Sequence, residues 1–208
     1  MVASVNHLPI PGETVLGSSF NKIPGGKGAN QAVAASKLGG EVSFVGCVGS
    51  DQEGEMLRSS LESANVDCEF LISLPEVPTG TAMIGVDAEG NNSIIVNPGA
   101  NGALVQEDII AVKEIVESAK IVLMQLEIPT SCVEVAVEMT NGITVLNPAP
   151  VVDIPFCAVT VIVGVVVYPE PPAVTVTIPI IPFSILAVAA APTPLSPLAK
   201  NATSGLQV

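Results

Sequence analysis

A glycine turn that opens a helix constrains this chain more than any other stretch of its sequence. Residues 24–32 read Pro-Gly-Gly-Lys-Gly-Ala-Asn-Gln-Ala, and the apolar spacing that follows predicts an amphipathic helix over 28–38. Because the first turn of a helix leaves its backbone N–H groups unpaired, such a turn presents hydrogen-bond donors and a positive dipole end to a ligand. Lys27 and Asn30 add polar side chains to this turn, and the alternative is that both are ordinary solvent-exposed helix residues.

This glycine turn differs from two well-known phosphate-binding motifs. Lys27 is followed by glycine instead of Ser or Thr, and the upstream glycine of a nucleotide P-loop is absent. Gln31 stands where a dinucleotide-binding fingerprint has its third glycine. The turn therefore predicts a binding site of another kind.

Short apolar stretches alternate with helical patterns through residues 1–150. Strands are predicted at 2–6, 42–47, 69–73, 120–125 and 143–146, and helices at 28–38, 51–64, 106–118 and 131–139. This alternation is typical of an α/β fold with a parallel-type central sheet covered by helices. The segments at about 12–23 and 79–97 break the alternation and predict a small separate β lid.

The composition changes abruptly near residue 151. Residues 151–208 are rich in valine and proline and contain three charged residues, Asp153, Glu170 and Lys200. Because proline interrupts both helices and strand ladders, we expect short buried strands and a loose tail here in preference to a membrane hairpin. Residues 1–150 and 151–208 are thus predicted to be two regions, the second of unclear fold.

Charge and cysteine content narrow the class of protein. The net charge of −13 disfavours a nucleic acid or an anionic membrane as a partner. Four widely spaced cysteines without a Cys-x-x-Cys pair predict free, buried thiols in a reducing compartment. The first residues lack the pattern of a signal peptide, so a cytoplasmic location is expected.

One acidic side chain stands out at the end of a predicted strand. Glu127 follows the apolar strand at 120–125, and ligands of parallel α/β sheets bind at the carboxyl ends of the strands. A carboxylate there can accept two hydroxyl hydrogen bonds, which suits a sugar or another polyol. The alternative is that Glu127 only places a negative charge before the next helix, and spacing alone does not decide between the two.

Several groups of residues occur together in the order and spacing of a known family. They are Leu-Pro-Ile-Pro-Gly-Glu-Thr at 8–14, Gly-Gly-Lys-Gly-Ala-Asn-Gln at 25–31, Gly-Cys-Val-Gly-Ser-Asp at 46–51, Thr-Gly-Thr-Ala at 79–82, Pro-Gly-Ala-Asn at 98–101, Gln-Leu-Glu at 125–127 and Asn-Pro-Ala-Pro at 147–150. On these motifs, residues 9–150 resemble the ribokinase branch of the phosphofructokinase-B sugar kinases. The resemblance implies a three-layer αβα sandwich with a small β lid that pairs two chains into a homodimer. It further implies that the sugar hydroxyls are bound by Gly25, Gly26, Lys27, Asn30 and Glu127, with Asn6 as the asparagine of the family's first-strand motif.

The resemblance also implies a reaction, the ATP-dependent phosphorylation of the primary hydroxyl of D-ribose or a similar pentose, with Mg²⁺ and K⁺. The chain departs from the family at three places, one of which is the family's Pro-x-Asn-x-x-Glu motif, linked to magnesium and phosphate and missing here. His7 follows Asn6 directly, so the aspartate of the family's Asn-x-Asp motif is missing, and no Gly-Ala-Gly-Asp turn, which carries the family's general base, occurs after residue 150. No catalytic, nucleotide-binding or metal-binding residue is therefore assigned. The alternative function is a catalytically inactive sugar-binding or dimerising fragment.

Overall fold

The computed structural model describes residues 1–150 and 152; the predictions made for the remainder of 151–208 lie outside the described residues. The strands are β1 (Val2–Val5), β2 (Gly17–Asn21), β3 (Gly46–Gly49), β4 (Leu71–Leu74), β5 (Thr81–Val86), β6 (Asn92–Asn97), β7 (Ile121–Gln125) and β8 (Ile143–Asn147). The helices are α1 (Lys27–Lys37), α2 (Gln52–Ser63), α3 (Ala100–Ala103), α4 (Gln106–Ala111), α5 (Lys113–Ser118) and α6 (Thr130–Met139).

Two parallel strand pairs form the centre of the α/β part. β3 pairs with β4, and β7 pairs with β8, each in parallel register. One apolar cluster joins these pairs to α4 and α6, and its members include Cys47, Met124, Cys132 and Leu146. A second cluster, which includes Ala32, Leu61 and Leu71, joins α1 and α2 to β3 and β4. Parallel strands under helices are what the sequence alternation predicts, and the α/β class is confirmed.

A separate four-stranded sheet has the order β2-β1-β5-β6. β2 falls in the segment 12–23, and β5 and β6 fall in the segment 79–97, the two segments that interrupt the sequence alternation. β1 joins this sheet, antiparallel to β2 and parallel to β5. The first strand of the chain therefore lies outside the two parallel pairs, and this sheet is called the lid sheet below.

Some boundaries differ from the sequence predictions. The single helix predicted over 106–118 is two short helices, because the backbone leaves helical geometry at Val112. The strand predicted at 42–47 lies at Gly46–Gly49, where all four residues are buried, whereas its first part contributes only an isolated bridge from Ser43 to Asp67. Helix α3 has no counterpart in the sequence prediction, since a one-turn helix is too short to show a 3.6-residue period.

A hydrogen-bond network at Asp51 attaches the lid sheet to the α/β part. Asp51 caps α2, as the sequence predicts, by accepting from the Gly54 N–H at 2.8 Å. The same carboxylate accepts from the N–H of Thr79 at 2.8 Å and from its hydroxyl at 2.5 Å, and Thr79 lies two residues before β5. The Thr79 hydroxyl oxygen accepts in turn from the N–H of Gly49, at the end of β3. The hydrogen bonds from Thr79 hold the pKa of Asp51 below its usual value.

The three described cysteines agree with the prediction of free, buried thiols, and Cys157 lies outside the described residues. Cys47, Cys68 and Cys132 are free and buried, and burial raises the pKa of the Cys47 thiol to about 11. No helix within residues 1–150 is long and apolar enough to cross a membrane.

Candidate functional site

Lys27 and Glu127 meet at the start of α1. The backbone N–H of Lys27 donates to Glu127 Oε2 at 2.8 Å, and the Lys27 Nζ donates to Glu127 Oε1 at 3.0 Å. The two side chains are 29% and 28% exposed, so the pair is partly shielded yet open to a ligand. A lysine and a glutamate predicted separately from two motifs are thus parts of one site.

The local sequence explains why this pair forms. Gly26, the N-cap of α1, has a φ of 97°, a left-handed conformation that suits glycine, and it offers no side chain to cap the helix. Glu127 lies two residues beyond β7, and the N–H of Leu126 donates to the carbonyl of Ala149 at 3.1 Å. The segment that carries Glu127 is therefore tied to the segment after β8, and its carboxylate supplies the acceptor that the N-terminus of α1 lacks.

Asn30 and the two glycines surround this pair. Asn30 is exposed and lies three residues after Lys27, so both side chains lie on neighbouring positions of the same helix face. Gly25 and Gly26 directly precede α1, where the backbone has no side chain to block the approach of a ligand. Five of the six predicted site residues therefore occupy the start of α1 or contact it.

Asn6 occupies a different place. It follows β1 and is exposed, and β1 pairs with the lid strands β2 and β5. None of the described side-chain hydrogen bonds joins Asn6 to Lys27, Asn30 or Glu127. Its role in sugar binding stays a prediction that rests on the family resemblance.

Buried polar residues lie beside the pair, and sequence reasoning missed the burial of one of them, Gln31. Gln31 is fully buried on α1, and the side-chain amide of Gln125 donates to its Oε1. Asn147, in register with Gln125 on the neighbouring strand, is only 9% exposed. The available signal was spacing, because Gln31 lies one helical turn after Lys27 and Gln125 lies two residues before Glu127.

The chemistry of the site is that of hydroxyl recognition. Each carboxylate oxygen of Glu127 donates no proton and has a second lone-pair direction beyond the one that Lys27 occupies. The ammonium group of Lys27 has donors left beyond its bond to Glu127. Because donors and acceptors lie side by side here, the site suits a ligand whose hydroxyl groups both donate and accept hydrogen bonds. Within residues 1–150, no three His, Cys, Asp or Glu side chains group closely enough to hold a metal ion.

The chain is similar to known proteins in both sequence and fold. Residues 2–154 match the pfkB family carbohydrate kinase domain. A ribokinase of Bacillus subtilis is 40% identical over 153 residues, which cover 72% of this chain and 52% of that protein. The crystal structure of a ribokinase from Thermotoga maritima is 38% identical with a TM-score of 0.66, over 72% of this chain and 49% of that one.

A third comparison concerns a ligand-bound structure. The ribokinase of Arabidopsis thaliana, whose structure is complexed with ribose and ATP, is 32% identical with a TM-score of 0.59, over 70% of this chain and 48% of that one. The chain spans about half the length of the curated relatives that it matches. The matching part contains the glycine turn, the lid sheet and both parallel strand pairs.

Proposed function

This chain belongs to the pfkB family of carbohydrate kinases, and we propose that its described residues form the sugar-binding part of a ribokinase-type enzyme. The substrate is D-ribose or a similar pentose. Glu127 accepts hydrogen bonds from sugar hydroxyls, Lys27 and Asn30 donate to sugar oxygens, and Gly25 and Gly26 allow the sugar to approach the backbone.

The observation that carries this proposal is the contact between Lys27 and Glu127. Lys27 fixes the carboxylate with two hydrogen bonds, which leaves its remaining lone pairs aimed in defined directions. A fixed acceptor binds a hydroxyl with less loss of conformational entropy than a free side chain does. The partial exposure of both side chains gives a ligand access.

The proposed reaction of the whole enzyme is the transfer of a phosphoryl group from ATP to the primary hydroxyl of the sugar. The Arabidopsis relative complexed with ribose and ATP supports both substrates. Mg²⁺ and K⁺ are proposed on the family resemblance alone. The described residues include no cluster of metal ligands, so neither ion is assigned to any of them and no step is derived through them.

A second function is a catalytically inactive protein that binds sugar or dimerises. It is favoured by the absence of a Gly-Ala-Gly-Asp sequence from residues 151–208. In such a chain the sugar site persists, while phosphoryl transfer lacks its general base. Sugar binding without sugar-dependent ADP production would distinguish this function from that of the enzyme.

A homodimer through the lid sheet is the proposed assembly. The strand register places Phe20, Met83 and Ile95 on one face of the sheet, and they are 63%, 53% and 63% exposed. Apolar side chains clustered on an exposed sheet face are typical of an interaction surface. A second copy of the chain is the proposed partner, and the cytoplasm is the proposed location.

Calorimetry with D-ribose tests the proposed function. The chain should bind ribose, and Glu127→Ala should abolish that binding, because the variant loses the acceptor for the hydroxyls and the fixed partner of Lys27. Glu138→Ala, at an exposed position of α6, is the matched control and should bind like the parent. Equal ribose affinity of Glu127→Ala and the parent would show that Glu127 only caps the helix.

A further inference from the structure

Two contacts, one above the other, connect α1 to the end of β7. The first is the pair Lys27–Glu127, and the second is the hydrogen bond from the Gln125 amide to Gln31 Oε1. On the helix, Gln31 follows Lys27 by four residues and therefore lies one turn along the same face. On the other side, Gln125 is the last residue of β7, and Glu127 lies two residues further along the chain, beyond the strand. The four residues form two successive contacts, called below the upper rung (Lys27–Glu127) and the lower rung (Gln31–Gln125).

The lower rung is the more buried of the two at its helix end, while its strand end, Gln125, is half-buried. Gln31 is fully buried, and Lys27 and Glu127 are each more than a quarter exposed. Hydrogen bonds in a water-excluded environment are stronger and more constrained than exposed ones. The lower rung is therefore the one that can fix the position of the helix against the strand.

Close packing makes the lower rung sensitive to position. A Cβ atom on Gly28, which lies between the two rungs on α1, would approach the Gln125 Oε1 to 2.8 Å. The helix backbone at residue 28 thus packs against the side-chain amide of Gln125 as closely as a glycine permits. Within the described residues the Nε2 of Gln31 has no hydrogen-bond partner, so the bond to Gln125 is what constrains the amide of Gln31.

We propose that Gln31 and Gln125 are positioning residues that hold Glu127 in place for the sugar. This inference deepens the proposed function and rests on it for the identity of the ligand. With the lower rung broken, α1 shifts against β7, and the hydrogen bond from the Lys27 N–H to the Glu127 carboxylate lengthens. The acceptors for the sugar hydroxyls then lose their fixed directions.

Amide hydrogen exchange of Lys27 measures this effect without any ligand. The Lys27 N–H lies in the first turn of α1 and has no partner within the helix, so its protection reports its bond to Glu127. Gln31→Met removes the lower rung at similar side-chain volume and should speed the exchange of this amide about tenfold. Gln31→Glu retains an acceptor oxygen for the Gln125 amide in either protonation state of its carboxyl, and should restore slow exchange.

A matched control separates positioning from a general loss of stability. Gln106→Met also deletes a glutamine hydrogen bond, the one to the Ser131 carbonyl at 3.2 Å, but between α4 and α6. This control should leave both the exchange of Lys27 and the affinity for ribose unchanged, while Gln31→Met should weaken ribose binding about tenfold. If Gln31→Met does not fold, Gln125→Met breaks the same rung from the strand.

The exchange of the Lys27 amide tests the positioning role, and ribose affinity of the parent chain tests the proposed ligand, so the two proposals can be contradicted separately. Unchanged Lys27 exchange in a folded Gln31→Met chain would overturn the positioning role. Faster exchange in Gln31→Met, combined with a parent chain that binds no ribose, would overturn the proposed ligand and retain the positioning role. Faster exchange together with weaker ribose binding would support both.

Discussion

Glu127 caps helix α1 from a distance of 100 residues in the sequence, because its carboxylate accepts from both the backbone N–H and the ammonium group of Lys27. The N-cap residue itself is Gly26, which makes no side-chain hydrogen bond. A carboxylate at this position satisfies an unpaired N–H group and also lies at the positive end of the helix dipole. The same side chain therefore stabilises the fold and defines the proposed sugar site.

This double role predicts a stability cost at Glu127. Glu127→Ala should lower the free energy of unfolding by about 0.5–2 kcal/mol, the usual cost of losing a helix cap. Glu127→Gln should lose less, since its amide oxygen still accepts from the Lys27 N–H. Urea unfolding monitored by circular dichroism measures both, with Glu138→Ala as the control. Equal stability of Glu127→Ala and the parent would contradict the capping role.

The network at Asp51 predicts a pH-dependent contribution to stability. The pKa of Asp51 is lowered in the folded chain, so its contribution is complete above the unfolded value of 3.8 and declines as the pH falls through the folded value. Thr79→Val removes the hydroxyl that Asp51 and the Gly49 N–H share, and should cost about 1–3 kcal/mol at pH 7. The difference between variant and parent should shrink below pH 3.8.

Unfolding in urea at pH 7 and at pH 3 tests this prediction. Thr144→Val, at a half-buried position of β8, provides the matched control and should show no such pH dependence. A difference between Thr79→Val and the parent that stays constant from pH 7 to pH 3 would show that the Asp51 charge is not involved.

The sequence predicted the long elements because their periods are local. Helix α2 with its Asp51 cap and the hairpin β5–β6 agree closely with their patterns. The break at Val112 was not predicted. The helical spacing of the apolar residues continues through this position, although the backbone leaves helical geometry there. The pairing of β1 with the lid strands depends on contacts between distant residues, which no local pattern contains.

The site was predictable in its parts but not in its connections. The glycine turn identified Lys27, and the end of an apolar strand identified Glu127, yet spacing could not show that the two meet. The burial of Gln31 was hidden as well, because a glutamine within a helix is usually solvent-exposed. Tertiary packing decides both features.

Catalysis gives a prediction about the chain as a whole. We expect residues 1–208 to show no ribose-dependent ADP production above background, because no Gly-Ala-Gly-Asp turn follows residue 150. Groups that stabilise the charge of a transition state are commonly worth roughly 100- to 1000-fold each. A coupled assay with ATP, Mg²⁺ and K⁺ measures this, with the Bacillus subtilis ribokinase as the positive control. Turnover at about 1–100 s⁻¹, the usual range of kinases, would contradict this prediction and reveal a general base that the motifs do not show.

The lid sheet gives a prediction about assembly. Ile95→Asp places a charge on the apolar face shared with Phe20 and Met83, and should convert a dimer to a monomer because burial of an unpaired carboxylate is costly. Light scattering at micromolar concentration measures the mass. Asn92→Asp, on the same strand but on the opposite face of the sheet, is the control. A parent chain that is already monomeric would contradict the proposed dimer.

The close approach of α1 to β7 gives the last prediction. At Gly28 two effects oppose each other, since alanine favours a helix by up to about 1 kcal/mol, whereas its Cβ would lie 2.8 Å from the Gln125 Oε1. The oxygen cannot move freely, because the Gln125 amide is bonded to Gln31, so the steric effect should win. Gly28→Ala should lower the free energy of unfolding by about 1–3 kcal/mol.

The control for this prediction is another helical glycine. A Cβ atom on Gly102, in α3, would lie 3.4 Å from its nearest neighbour, Pro98 Cβ, which is an ordinary contact. Gly102→Ala should therefore leave the free energy of unfolding unchanged or raise it. Chemical unfolding of both variants compares the same substitution with and without the close approach. If Gly28→Ala is as stable as Gly102→Ala, the helix can move away from β7 at little cost. The Gln31–Gln125 rung would then not determine where Glu127 lies.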